Sequence, residues 1–187
     1  FPFATHGRTR MGIEHPFHDF DNEAYAYAAV KSLVERGRRR IAMVAGPGPA
    51  HTYYWHLDDG FRRGLQESGA VPVMLDHWNG SISLDDVRNR TEMFMRQPNP
   101  PDGIICCTGG LTVAVVAGIE ATGMKLGRDI DLVSKQTTHF LQWFRPEIIV
   151  FNEDVRHAGR ELARAVLRRI EGADPTQLQS LSYPEAE

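Results

Sequence analysis

The chain has 187 residues, 42% of them hydrophobic and 24% charged, with a formal net charge of −3. That balance fits one α/β domain or two small lobes, and it excludes a mainly disordered chain or a nucleic-acid surface spread over the whole molecule, which would need clustered Lys and Arg. The two cysteines, Cys106 and Cys107, are adjacent, which rules out a disulfide framework and favours a reducing compartment. No apolar run is long enough for a membrane span and no secretory leader is visible, so a cytoplasmic location is expected.

Phe3 to Thr5 reads as a short strand. The opening Phe1-Pro2-Phe3-Ala4-Thr5 looks like a strand entered midway through a domain, so a fragment is expected. Asp21-Asn22-Glu23 caps a helix whose apolar positions Ala24, Ala28, Val30, Leu33 and Val34 lead to a stop at Gly37. The run from Glu35 to Pro47 takes a basic helix end through that glycine into the strand Ile41 to Ala45 and halts at a Gly-Pro turn, one αβ step of a parallel sheet. A second helix spans about Tyr54 to Ser68 and ends at Gly69, followed by a strand from Val71 to Leu75. Asp85 to Arg96 is helical, Gly103 to Cys107 is a strand, and Leu111 to Ala121 is an apolar helix stopped at Gly123. Strands at Ile130 to Val133 and Ile148 to Phe151 flank an irregular aromatic stretch, and a last helix runs from about Glu153 to Ile170. Such alternation implies parallel strands with helical crossovers. The tail after Asp174-Pro175 carries few core signals.

In open α/β sheets ligands sit beyond the carboxyl ends of the strands, which directs attention to the turn from Gly46 to His51. Its prolines remove amide donors and it lacks a Lys-Ser/Thr ending, so it is not a phosphate loop. His15, His18, His51 and His56 have no carboxylate or thiol partners at ligand spacing, and neither a metal nor a cofactor is expected. Ser81, Ser83 and His77 lie close together but form no Gly-x-Ser-x-Gly elbow, so no catalytic residue is assigned and an enzyme is not expected. Arg36, Arg38, Arg39 and Arg40 read either as a nucleic-acid patch or, more simply, as cations at a helix end.

Pro2 to Arg8, Asp21-Asn22-Glu23-Ala24, Gly37 through Pro47 with Gly60-Phe61-Arg62, Pro101 to Ile105, Gly127 to Ile130 and Arg145-Pro146, taken in this order, resemble the effector-binding domain of LacI-type bacterial transcription regulators. Pro2 to Arg8 is similar to the family's first-lobe strand ending in Gly-Arg, and Asp21-Asn22-Glu23-Ala24 to its Asp-started helix. Gly37 through Pro47, followed by Gly60-Phe61-Arg62, matches its most recognisable spacing. Pro101-Asp102-Gly103-Ile104-Ile105, Gly127-Arg128-Asp129-Ile130 and Arg145-Pro146 resemble three later motifs. The resemblance implies an α/β, two-lobe, periplasmic-binding-protein-like fold of type I with doubly wound parallel sheets and an incomplete first lobe. Residues 1–39 would be the later part of the first lobe, 40–150 the second lobe, and 151–187 the return to the first lobe and tail.

The family likeness further implies a small sugar-like effector held between the lobes, a homodimer, and operator DNA bound only through a missing N-terminal helix-turn-helix. A periplasmic sugar-binding protein of an ABC transporter is the alternative. Leu57 stands where such relatives carry an Arg, Thr108-Gly109 where they carry Asn-Asp, and Gln136 where they carry an Asp. A neutral ligand is therefore expected, held by ring faces and neutral hydrogen bonds rather than ion pairs. Arg8, Tyr53, Trp55, Trp78, Thr108 and Gln136 are the candidate ligand contacts, with Phe140, Trp143 and Phe144 near the other crossing. Tyr53, Tyr54 and Trp55 serve equally well as cover for the sheet edge or as a subunit contact.

Overall fold

Two parallel sheets organise the molecule, which a computed structural model describes over residues 1–9, 12, 14–46, 48–73 and 83–186. In chain order the strands are β1 (Thr5–His6), β2 (Phe17–Phe20), β3 (Arg40–Val44), β4 (Val71–Pro72), β5 (Gly103–Cys106), β6 (Asp131–Gln136), β7 (Ile149–Asn152) and β8 (Gln179–Ser182). The helices are α1 (Asn22–Glu35), α2 (Thr52–Ser68), α3 (Leu84–Met95), α4 (Gly109–Glu120), the single turn α5 (Leu141–Phe144) and α6 (Val155–Ile170). The smaller sheet has the order β1-β2-β8 and the larger β4-β3-β5-β6-β7. All of these strand pairings are parallel.

The larger sheet is buried on both faces. Alternation along its strands sends Ile41, Ile105, Val133 and Phe151 against Tyr25 and Leu33 of α1 and Leu57 and Phe61 of α2. The opposite set, Ala42, Ile104, Leu132 and Val150, meets Val87 of α3 and Val115 and Ile119 of α4. Helix α1 starts where the Asp21 carboxylate accepts the Ala24 N–H at 3.1 Å, and α2 closes on Gly69 in the left-handed region at φ 67°. Helices α1 and α2 approach so closely that a Cβ on Gly60 would stand 2.0 Å from the Glu23 carbonyl oxygen.

This packing moves a boundary. The apolar face of α1 lies on the larger sheet, so the division between packing units falls near Asp21 rather than after residue 39. Likewise β7 pairs with β6 as far as Asn152, past the expected division at 150. Capping and periodicity locate a helix but do not say which sheet its face will meet.

The smaller sheet is thinner. Strand β2 buries His18, Asp19 and Phe20, and the two ring nitrogens of His18 share 2.9 Å hydrogen bonds with the hydroxyls of Ser180 and Ser182 on β8. Helix α6 buries only Ala158 and Ala165 and leaves Val155, Leu167 and Ile170 exposed. Neither β2 nor β8 is expected from the sequence, because Phe-His-Asp-Phe and Gln-Ser-Leu-Ser lack the apolar run of a buried strand. The expected strand at Phe3 to Thr5 is shifted to Thr5–His6, and α5 forms inside the stretch that reads as irregular.

The arginine cluster has a structural role at the amino edge of the larger sheet. Arg38 Nε donates to Asp131 Oδ2 at 2.7 Å and an Arg36 nitrogen lies 3.7 Å from Oδ1, while Asp102 accepts the backbone N–H groups of Arg39 and Arg40 at 2.9 and 2.7 Å.

Candidate functional site

Parallel pairing carries the carboxyl ends of β3, β5 and β6 to one edge, where the chain turns back into helices or crosses to the other sheet. A cavity of about 310 Å³ lies there. Its wall is built by Cys107, Thr108, Gly109 and Gly110 of the β5–α4 turn, by Lys135 to Thr138 at the end of β6, and by Phe140 and Glu153. The volume is at the lower end of the range for small-molecule sites, roughly 300–1,000 Å³.

One charged pair dominates the wall. Lys135 Nζ lies 2.8 Å from Glu153 Oε2, donates to Asn22 Oδ1 at 2.9 Å and stands 4.9 Å from the centre of the Phe20 ring. Glu153 Oε1 is 3.7 Å from His6 Nε2. The pair therefore touches the end of β2, the start of α1 and β1, and it ties the cavity wall to both sheets. Lys135 and Glu153 are 18 positions apart, and neither belongs to a motif, so spacing gives no signal that they meet.

Of the candidate contacts, the cavity brings together Thr108 and Gln136. Thr108 caps α4 by accepting the Leu111 N–H at 3.4 Å. Gln136, only 2% exposed, has both ends of its amide engaged: Nε2 donates to Asn152 Oδ1 at 2.9 Å and Oε1 accepts the Leu141 N–H at 3.2 Å. The other candidates lie outside this lining. Tyr53 stands at the same sheet edge, its hydroxyl 3.8 Å from where a Cβ on Gly46 would be, and burial raises the pKa of its phenol. Trp55 donates Nε1–H to the Pro49 carbonyl at 3.0 Å and sets its ring edge-on to Tyr54 at 5.5 Å. Arg8 reaches from the end of β1 to α2: Nε donates to His56 Nδ1 at 3.0 Å, and the guanidinium pairs with Asp21 at 3.1 Å and Asp19 at 3.6 Å. Trp78, with Pro47, His77 and Ser81, lies outside the described residues.

The remaining positions divide clearly. Leu57 is fully buried between α2 and the sheet, so its side chain serves the core. Phe140 lines the cavity, whereas Trp143 is 85% exposed and Phe144 packs against the core. Burial pushes the Cys107 thiol up to about 12, which makes it a neutral apolar part of the wall rather than a nucleophile. Among the described residues no three His, Cys, Asp or Glu side chains converge where a metal ion could be held, and no helix is long and apolar enough to cross a membrane.

A family model described as a periplasmic binding protein-like domain matches residues 30–185. The HTH-type transcriptional regulator AglR of Rhizobium meliloti (strain 1021) is 28% identical over 193 residues, covering 100% of this chain and 51% of AglR. Among solved structures, a regulatory protein of the LacI family from Chloroflexus aggregans superposes with a TM-score of 0.88 at 21% identity, over 100% of this chain and 66% of its own. A LacI family regulator from Arthrobacter sp. FB24, in complex with lactose, does so with a TM-score of 0.81 at 18% identity, over 100% and 69%. The chain spans about half the length of the curated relatives it matches. The family model covers most of the chain, and both sheets and their helices follow the fold of the solved relatives. The chain therefore belongs to the periplasmic binding protein-like domain family.

Proposed function

We propose that this chain is the effector-binding domain of a bacterial transcription regulator and that the cavity at the carboxyl edge of the larger sheet takes a small, neutral, sugar-like molecule. The observation that carries this reading is the placement of the Lys135–Glu153 pair, which forms cavity wall and touches elements of both sheets, so a ligand that disturbs the wall disturbs their junction. Thr108, Thr137 and Thr138 offer hydroxyls, and the Arthrobacter relative carries lactose. Tyr53 and Trp55 are proposed as the facing wall, with Arg8 bracing the junction. AglR and the Chloroflexus protein are regulators, which favours this reading over a transporter's solute-binding protein.

In the whole protein, DNA is proposed to be held by a segment outside these 187 residues, in a cytoplasmic homodimer. Calorimetric titration of the chain with lactose, ribose and gluconate tests the ligand class. One neutral sugar binding with one site per chain is the expected result, and gluconate binding best would overturn it. Trp55→Ala is expected to weaken that sugar by about tenfold, and unchanged affinity would remove Trp55 from the site.

A further inference from the structure

We infer that Phe140 is the ring platform of the cavity, and that Gly109 and Gln136 are positioning residues that put it there, an inference that rests on the ligand-binding reading above. A Cβ on Gly109 would lie 3.1 Å from Phe140 Cε1 and 3.4 Å from Cζ, so the ring is seated on bare backbone. The neighbouring Gly110 has no atom within 4 Å of the same point, which confines the tight approach to Gly109. Gly109 does not have positive φ, so the space beside it, not its backbone conformation, is what a side chain would disturb.

The ring is not core filling. Phe140 is 42% exposed and belongs to neither buried cluster, although the adjacent Leu141 is fully buried. Its place is set by Gln136, whose Oε1 accepts the N–H of Leu141 while its nitrogen donates to Asn152 on β7. Asn152, Gln136, Leu141 and Phe140 thus form a connected support that begins in the sheet and ends at the cavity. An exposed ring held by buried hydrogen bonds beside threonine hydroxyls and a charged pair is suited to a ligand with one apolar face and a polar rim. A cyclic sugar has that form, whereas an open-chain polyol with the same hydroxyls has no flat C–H face.

The test is calorimetry of the full chain and its Phe140→Leu, Phe140→Trp and Gly109→Ala variants with lactose, ribose and sorbitol, alongside amide proton shifts of Gly109 and Gly110. The unmodified chain is expected to prefer a cyclic sugar to sorbitol. Phe140→Leu should reduce that preference by about tenfold and move the Gly109 amide shift, Phe140→Trp should retain the preference, and Gly109→Ala should weaken the sugar. If the chain binds a cyclic sugar but Phe140→Leu keeps the same preference, the platform is refuted and the ligand-binding reading stands. Should neither sugar bind the unmodified chain, that reading fails and takes the inference with it. Because Phe140 is partly exposed, the variants are expected to unfold cooperatively like the parent. The Gly109 amide shift of the Phe140→Leu variant tests the seat independently of any ligand, because loss of a ring packed there removes its ring-current effect, and an unchanged shift would refute the seat.

Discussion

The two sheets of this molecule are held by different means. The larger is sealed on both faces by paired helices, and its stability comes from apolar area removed from water, with Leu33, Leu57, Ile105 and Ile119 among its fully buried side chains. The smaller relies on polar contacts: His18 bridges two serines, His15 Nε2 meets Thr5 Oγ1 at 2.8 Å, and α6 covers it with two alanines while larger apolar residues face outward. The same βα alternation can thus be fastened by packing, which is insensitive to pH, or by hydrogen bonds to a buried imidazole such as that of His18, which are not.

Leu57→Arg is the hardest test of the contrast. It places a cation in the sealed core and should cost about 3–5 kcal/mol, the scale of a buried unpaired charge. Chemical denaturation should show a large loss of stability or no cooperative transition, and a variant within about 1 kcal/mol of the parent would mean that this face is not sealed.

A pair of glycine substitutions comes next. Gly60→Ala drives a methyl group into the Glu23 carbonyl between α1 and α2 and should destabilise by about 1–3 kcal/mol. Gly159→Ala on α6 meets nothing within 4 Å and should stabilise by up to about 1 kcal/mol through helix propensity. Equal and opposite signs in thermal unfolding are not required, but a destabilising Gly159→Ala would show that α6 is more closely packed than its exposed residues indicate.

The third test is pH. Burial, then the nearby His157, lowers the pKa of His18 from its usual 6.5, with Glu161 and Asp19 opposing and His6 reinforcing the shift. The unfolded chain therefore binds a proton at this site more readily than the folded one, so stability falls as pH drops through 6.5 and levels off below the folded pKa. Protection factors at Ser180 and Ser182, which allow for the intrinsic slowing of exchange in acid, should fall between pH 7 and pH 5 while those of the β5 and β6 amides hold. His18→Gln should flatten this response. Uniform loosening of both sheets would erase the distinction.

Asp58→Ala should have the smallest effect. It removes the 2.7 Å contact with the largely exposed Arg62 and should change stability by about 0.5 kcal/mol or less.

What can be read from the sequence follows the same divide. Strands β3, β5 and β6 and helices α1, α2, α3 and α4 are legible to within a few residues, because burial on both faces leaves apolar runs and caps that one-dimensional periodicity detects. Strands β2 and β8 escape it because the buried members of β2 include His18 and Asp19, and His18 is satisfied by a strand some 160 residues away. The lining of the candidate cavity is half legible. Thr108 and Gln136 stand out as departures from family spacing, whereas Lys135 and Glu153 become partners only once β6 and β7 lie side by side. Leu57 has the look of a lost ligand contact in one dimension, but three-dimensional packing makes it core.

The chain passes between the sheets at Asp21, again at Glu153 and Asp154, and once more between Ser182 and Ala186, where a bridge to Phe151 returns the tail to the larger sheet. Two bodies joined by three short straps cannot slide or spin freely, since each such motion stretches at least one strap. The cavity wall is made partly of one of those straps, through Glu153, so the cavity adjoins the place where the two bodies are joined.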